Sequence, residues 1–404
     1  MRLRAWAAAL ALVAVLLTGC GSEPPAAEAA ATPAVTASPT PAPTEEPKAV
    51  TTTLRLSATG DNLIHSSIYK QAARRAGGDA SQGNGSYDFR YCYENMLDFY
   101  AGYDINWINQ ETLVNDRLSP SDYPCFSTPG DMGRTLYDVG FRVFSLANNH
   151  TYDRGAAGIA ATREFWAAMP QDVLTTGLYA GEADYSSIPI QEIQGVRIAY
   201  LAYTQYTNGI PTPSGAEANI IYAEQTDVIK QQIELACEQA DLVIVGNHWG
   251  IEDSHVVTDA QRELAQMQAD WGADLIIGTH PHVVQDAEWL TSADDRPVFV
   301  AYSLGNFISA QSRPDEMFGL ILDVQIEHTD YPDGTSSTVL HSPVLHPVVN
   351  HYESGYSNIR AYLLRDYPAE LADAHGVRGA NPQFGLEYIK QVLNEWVSEE
   401  FLVM

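Results

Sequence analysis

Positive charge is scarce in this chain: 22 lysines and arginines stand against 51 aspartates and glutamates, a formal net charge of −29. No basic footprint exists to meet phosphates, so nucleic acid is excluded as a partner. A polyanionic substrate is likewise repelled at long range unless a local cluster of cations receives it. Cysteine is scarce too, with four in 404 residues and no Cys-x-x-Cys pair, which argues against a structural zinc knot. No internal repeat of fixed period is present. The apolar run Ala5 to Leu16 is too short to span a bilayer comfortably.

That run does have an address. It follows Arg2 and Arg4 and closes with Leu17-Thr18-Gly19-Cys20, which resembles a bacterial lipobox. Residues 1–20 are therefore expected to be a lipoprotein signal peptide, with Cys20 lipid-modified and first in the mature chain. Residues 21–50 are Ala, Pro, Thr, Ser and Glu with almost nothing bulky. Such a stretch cannot bury enough apolar area to offset its ordering entropy and reads as a disordered tether, kept extended by its prolines. The protein is then extracytoplasmic, held on the outer face of the cytoplasmic membrane. A bridge between Cys92 and Cys125 is open to an exported chain, while Cys237, in a helix-like segment, reads as a small buried apolar residue.

The folded part begins near Val50, with a main domain over 51–350 and a C-terminal helical extension over 351–404. Leu54, Leu56 and Ala58 alternate with polar residues and lead into Thr59-Gly60-Asp61, a half-buried strand that ends on a carboxylate. Asp104 to Trp107 run into Asn109-Gln110-Glu111, and Phe141 to Leu146 into Asn148-Asn149-His150. A helix from Asp153 to Met169 follows, with Asp153 at its N-cap. Ile190–Ile193 and Val196–Tyr203 flank Gln194-Gly195 as a hairpin. Helices over Glu224–Ala240 and Thr258–Trp271 precede the strands Leu242–Val245, ending in Gly246-Asn247-His248, and Ala273–Ile277, ending in Gly278-Thr279-His280-Pro281-His282. Strands alternating with helices indicate an α/β protein, whose ligands gather beyond the strands' carboxyl ends. That edge collects Asp61, Glu111, Asn149, His150, His248, His280 and His282.

Carboxylate oxygens, an amide carbonyl and imidazole nitrogens together suit Mn, Fe, Zn or Mg. Two such ions about 3.5–4 Å apart serve hydrolases by polarising a bond and generating the nucleophile, and an unligated neutral histidine can protonate the leaving group.

The motifs Thr59-Gly60-Asp61, Asn109-Gln110-Glu111, Asn148-Asn149-His150 with Asp153 and Gly155, His248-Trp249-Gly250 with Glu252, Gly278 to His282 and Ser303 to Phe307 occur in this order. Together they resemble the CapA-type capsule-synthesis family, associated with poly-γ-glutamate, within the calcineurin-like metallophosphatase superfamily. The resemblance implies a four-layer α/β/β/α sandwich and a dinuclear site. It assigns Asp61 and His282 to a first metal, Glu111 to the bridge, and Asn149, His248 and His280 to a second. His150 becomes the general acid, held by Asp153. The superfamily's Asp-x-His is not met here, because Asn62 and Leu63 follow Asp61. His65 could substitute, or the site could hold one ion rather than two.

Other groups have competing readings. Glu252 either orients His248 or is a solvated loop carboxylate. Asn306 either braces the ligand loops or its own loop. Trp249 walls the pocket or fills the core, and Tyr203 and Tyr206 are possible groove residues. His341, His346 and His351 lack a strand-exit context. The expected function is a metal-dependent, phosphoesterase-like hydrolase acting on a phosphoester or an anionic envelope polymer, beside membrane synthase partners. The alternatives are a polymer-binding attachment factor without turnover, or a γ-glutamyl amide hydrolase or transferase.

Overall fold

A computed structural model describes residues 48–78, 85–216 and 219–404. Cys20 and nearly all of the proposed tether lie outside the described residues. Lys48–Thr51 and the hairpin tip Thr329–Ser337 belong to a small unit of their own, in which the hydroxyls of Thr51 and Thr329 hydrogen-bond at 2.9 Å. The larger unit comprises 52–328 and 338–404.

The strands, in chain order, are β1 (Val50–Asn62), β2 (Ile105–Gln110), β3 (Val114–Asn115), β4 (Thr128–Pro129), β5 (Val143–Ser145), β6 (Leu174–Thr176), β7 (Ile190–Ile193) and β8 (Val196–Thr204). They continue as β9 (Leu242–His248), β10 (Leu275–Thr279), β11 (Ala287–Thr291), β12 (Pro297–Ala301), β13 (Asn306–Ile308), β14 (Phe318–Asp330), β15 (Ser336–Glu353) and β16 (Ser357–Leu363). One sheet has the order β16-β15-β14-β1-β2-β5-β6, with β13 also pairing β1; the second runs β11-β12-β10-β9-β8-β7.

Side-chain alternation sorts the second sheet's residues between two cores. Ile198, Tyr200, Leu242, Ile244, Leu275, Ile277, Phe299 and Ala301 share a core with residues of the first sheet such as Trp107 and Phe144. Their neighbours Ala199, Leu201, Val243, Val245, Ile276 and Val300 pack instead with Ile229, Ile233 and Ala236 of the helix Thr226–Gln239, and with Leu264, Ala265 and Ala269 of the helix Asp259–Trp271. The first sheet carries its own helices, Ser66–Arg75, Asp131–Val139 and Gly155–Ala167; Phe144, for example, meets Trp166 with ring centroids 4.4 Å apart. The layers are helix, sheet, sheet, helix, as expected for the four-layer α/β/β/α sandwich. Strands β8, β9, β10 and β12 are parallel and covered on both faces, which is why they read as unbroken apolar runs.

Local chemistry explains most element ends. Gln194 and Gly195 take φ of 51° and 88° between β7 and β8, the pair of left-handed residues a tight two-residue hairpin needs. Thr258 caps its helix through a reciprocal capping box with Gln261. The helix expected from Asp153 starts instead at Gly155, with Arg154 as N-cap and no side-chain cap. Asp153 is turned away because its carboxylate is already committed elsewhere, as described below. β15 runs through position 350 and β16 joins the same sheet, so the segment beyond 350 supplies strand as well as the helix Leu386–Trp396. Cys92 and Cys125 are free thiols, so the bridge considered between them is not formed; Cys92 and Cys237 are buried. Among the described residues, no helix is long and apolar enough to cross a membrane.

Candidate metal centre

Strand register brings the expected residues to one place. β1 ends at Asp61 and Asn62, which pair with Asn109 and Gln110 at the end of β2; Glu111 is the next residue. β5 delivers Asn149 and His150 from the loop after Ser145. In the second sheet β8, β9 and β10 finish level with one another, Thr204 and Thr279 both beside His248. The close approach of these strand ends needs glycine. A Cβ on Gly278 would lie 1.8 Å from the Tyr302 carbonyl oxygen, and one on Gly60 would lie 2.0 Å from that of Gly305.

After Gly278 the chain turns tightly enough that both histidines adopt left-handed backbone, His280 at φ 100° and His282 at φ 62°. Such conformations cost about 1–3 kcal/mol each and persist only where the surroundings hold them. Here Asp61 Oδ2 receives the His280 backbone N–H at 3.3 Å and contacts His282 Nδ1 at 3.1 Å. Asn109 Nδ2 donates to the other Asp61 oxygen at 2.7 Å.

Two three-residue groups result, Asp61–Glu111–His282 and Glu111–His248–His280, each with its donor atoms within 4.8 Å of one another. Glu111 belongs to both. His248 Nε2 lies 3.0 Å from Asn149 Oδ1, 3.1 Å from His280 Nδ1 and 3.7 Å from Glu111 Oε1. Thr279 Oγ1 sits 3.0 Å from the other His248 nitrogen. Tyr206, just past β8, sets its hydroxyl against His280 Nε2, leaving Nδ1 to face the cluster. His150 Nδ1 is 2.8 Å from Asp153 Oδ2, and the same oxygen accepts the Phe126 backbone N–H at 2.6 Å. His150 Nε2 then points toward Glu111 Oε1, 3.9 Å away. Phe126 packs edge-on against the ring at 4.7 Å.

These residues fit a divalent metal. Both Glu111 carboxylate oxygens are buried and accept no hydrogen bond, although a buried carboxylate without hydrogen bonds is costly. Burial, opposed by His282 and reinforced by the charges of Asp61, Glu252 and Asp153, drives the Glu111 carboxyl well above its ordinary range. A cation shared between the two groups relieves that cost. Burial, with the neighbouring histidines adding, holds His248 and His280 well below the usual imidazole range. They are therefore neutral rings with lone pairs to give, the form in which histidine binds a metal. The oxygen-and-nitrogen donor set suits Mn, Fe, Zn or Mg.

The structure decides between the competing readings of the remaining groups. His65 is in neither group: its Nδ1 accepts the Ala310 backbone N–H at 3.1 Å, so that nitrogen is spent on the fold. Glu252, exposed, falls with His280 and His282 in a third group. Asn306 braces its own loop, donating to Gln311 Oε1 at 2.6 Å and to the Glu316 carbonyl at 3.1 Å. Trp249 is a core residue whose indole N–H meets the Tyr302 carbonyl at 2.9 Å, and Tyr203 is buried against Gln232. His351 is buried and bonded to Tyr367 at 2.7 Å; His341 and His346 pair with Glu327 and Asp323. Asn109, quoted only as part of its motif, Tyr206, considered only for the groove, and Asn208, named nowhere in the sequence reading, also contribute. Asn208 Oδ1 receives the Asn149 side-chain amide at 3.0 Å. The position of Tyr206 and Asn208 just past β8, beside His248, was the available signal.

A family model described as bacterial capsule synthesis protein PGA_cap matches residues 55–311. The PGA biosynthesis protein CapA of Bacillus subtilis (strain 168) is 33% identical over 214 residues, covering 53% of this chain and 54% of that protein. The capsule biosynthesis protein CapA of Bacillus anthracis is 33% identical over 183 residues, covering 44% and 42%. The chain thus spans about half the length of the curated relatives it matches. Haemophilus influenzae NAD nucleotidase is a distant structural likeness, with a TM-score of 0.43 and 13% identity over 88% of this chain and 57% of that one.

Proposed function

The chain belongs to the bacterial capsule synthesis protein PGA_cap family, and we propose that it makes or processes an anionic envelope polymer of the poly-γ-glutamate kind as a metal-dependent, phosphoesterase-type hydrolase. The proposal includes anchoring by lipid at Cys20 on the outer face of the cytoplasmic membrane, next to membrane synthase partners. One observation carries the reading: Glu111, buried and without a hydrogen bond, belongs to both donor groups.

Asp61, Glu111 and His282 would hold one divalent ion, and Glu111, Asn149, His248 and His280 a second. Ions there supply Lewis-acid polarisation of the scissile bond and a nucleophile at neutral pH. The protein's own residues supply the proton. Asp153 fixes Nδ1 of His150, so the proton that moves sits on Nε2, aimed into the space beside Glu111. Nε2 delivers it to the departing oxygen, and Asp153 stabilises the ring while it is charged. Asn109 and the His280 backbone N–H keep Asp61 in place, and the Tyr206 hydroxyl fixes the orientation of His280.

The test is elemental analysis of the purified protein combined with a screen of phosphoester and γ-glutamyl substrates. His150→Ala is expected to keep its metal and lose hydrolysis by about 10²–10⁴-fold. Full activity in that variant removes the general-acid role. Cleavage of γ-glutamyl amides alone moves the assignment to amide hydrolysis or transfer, and polymer retention without turnover moves it to an attachment factor.

A further inference from the structure

Glu252 differs from the other carboxylates at the centre. Asp61 and Glu111 are buried at the floor, whereas Glu252 is exposed, yet one of its oxygens lies within 4.8 Å of donor nitrogens on His280 and His282. These two histidines also serve the separate groups beneath. The loop that carries Glu252 is tied down on both sides of it. The Gly250 N–H donates to Gln205 Oε1 at 2.8 Å, and the Asp253 N–H donates to the carbonyl of Pro281, the residue between the two histidines, at 2.9 Å. Asp253 itself takes φ 61° and forms an ion pair with Arg313. The backbone thus holds an otherwise solvated carboxylate over the open side of the histidine pair.

We propose that Glu252 is an exchangeable ligand: it covers the solvent side of the metal centre in the absence of substrate and yields that position to an oxyanion, the phosphate or carboxylate of the substrate. The inference rests on the metal-centre reading above. An exposed side chain can swing away at little cost, whereas the buried ligands cannot, because each is locked by neighbouring contacts. A carboxylate in that position also disfavours unspecific anions, since any entering group must displace a like charge.

Metal-depleted full-length protein is loaded with Mn²⁺, and orthophosphate and a short γ-glutamate oligomer are titrated in by calorimetry. Solvent-proton relaxation by the bound Mn²⁺ is followed in parallel. Glu252→Gln is expected to retain the wild-type number of Mn²⁺ ions, to bind one or both oxyanions about tenfold more tightly, and to show faster solvent relaxation. Which oxyanion gains tells which kind of group the substrate presents. Asp253→Asn removes a neighbouring charge without touching the histidines and is expected to change neither readout. An equal gain in Asp253→Asn, or none in Glu252→Gln, overturns the exchange. Loss of an equivalent of Mn²⁺ in Glu252→Gln also overturns it, by making Glu252 a fixed ligand. Failure of the wild-type protein to bind Mn²⁺ sinks the metal centre itself, a result distinguishable from the others.

Discussion

His351 and His375 show how single residues here link burial to solution behaviour. His351 packs against His375 with ring centroids 5.2 Å apart, and His375 Nε2 meets the Asn350 carbonyl at 3.0 Å. Burial holds each imidazole down to about 4, with the Arg360 charge adding at His351 and the Asn350 carbonyl opposing at His375. In the unfolded chain the same rings take a proton near 6.5. Between those values the unfolded state binds protons that the folded state does not, so stability is full above about pH 6.5 and falls as pH drops toward 4. Guanidinium unfolding of the metal-free protein is expected to lose on the order of 1–3 kcal/mol between pH 7 and 4.5, and His351→Gln to flatten that dependence. The sequence showed both histidines, but their burial comes from Tyr352, Tyr362, Tyr367 and Phe384 folding over them. At the centre, the identities of Asp61, Glu111, Asn149, His150, His248, His280 and His282 were legible because each stands just past an apolar strand. The role of Tyr206 was not: its place just past β8 made it a groove residue, but that place does not say that its hydroxyl meets His280.

Among the elements, β10 and its exit loop carry the most constraint. Gly278 follows Leu275, Ile276 and Ile277, and the space its Cβ would need is filled by the Tyr302 carbonyl. Gly278→Ala must push apart β10 and the chain after β12, with a cost of about 3 kcal/mol or more. Chemical unfolding is expected to register that loss, with metal content falling in parallel because His280 and His282 shift with the loop. A variant as stable as wild type with full metal content overturns this account. Most strands and helices were legible from periodicity and caps, as with the Gln194-Gly195 hairpin and the helix behind Thr258. The start of the helix at Gly155 was missed for a nameable reason. Asp153 has the chemistry of an N-cap, but a tertiary hydrogen bond to Phe126 and a contact with His150 compete for the same oxygens and win.

At the scale of the whole molecule, two sheets are held face to face and their carboxyl ends share one charged cluster. Glu111 joins the donor sets contributed by the two sheets. Metal that binds only the folded state stabilises it by mass action, about 2.7 kcal/mol at a hundredfold excess over the dissociation constant. Chelation is expected to lower the thermal midpoint by several degrees, reversed by adding Mn²⁺ or Zn²⁺, and Glu111→Gln to lose most of that response. An unchanged midpoint in calorimetry with and without chelator argues against a metal centre here. By itself the sequence determined the residue types, the alternation of strands and helices, and the edge at which the ligands would meet, because those follow from local periodicity and from where each apolar run stops. Only the tertiary structure decided which atom faces which: that Glu111 is shared, that His65 spends its Nδ1 on the backbone, and that Glu252 hangs over the histidine pair. Those outcomes depend on strand register and loop path between segments up to 221 residues apart, a relation no local pattern encodes.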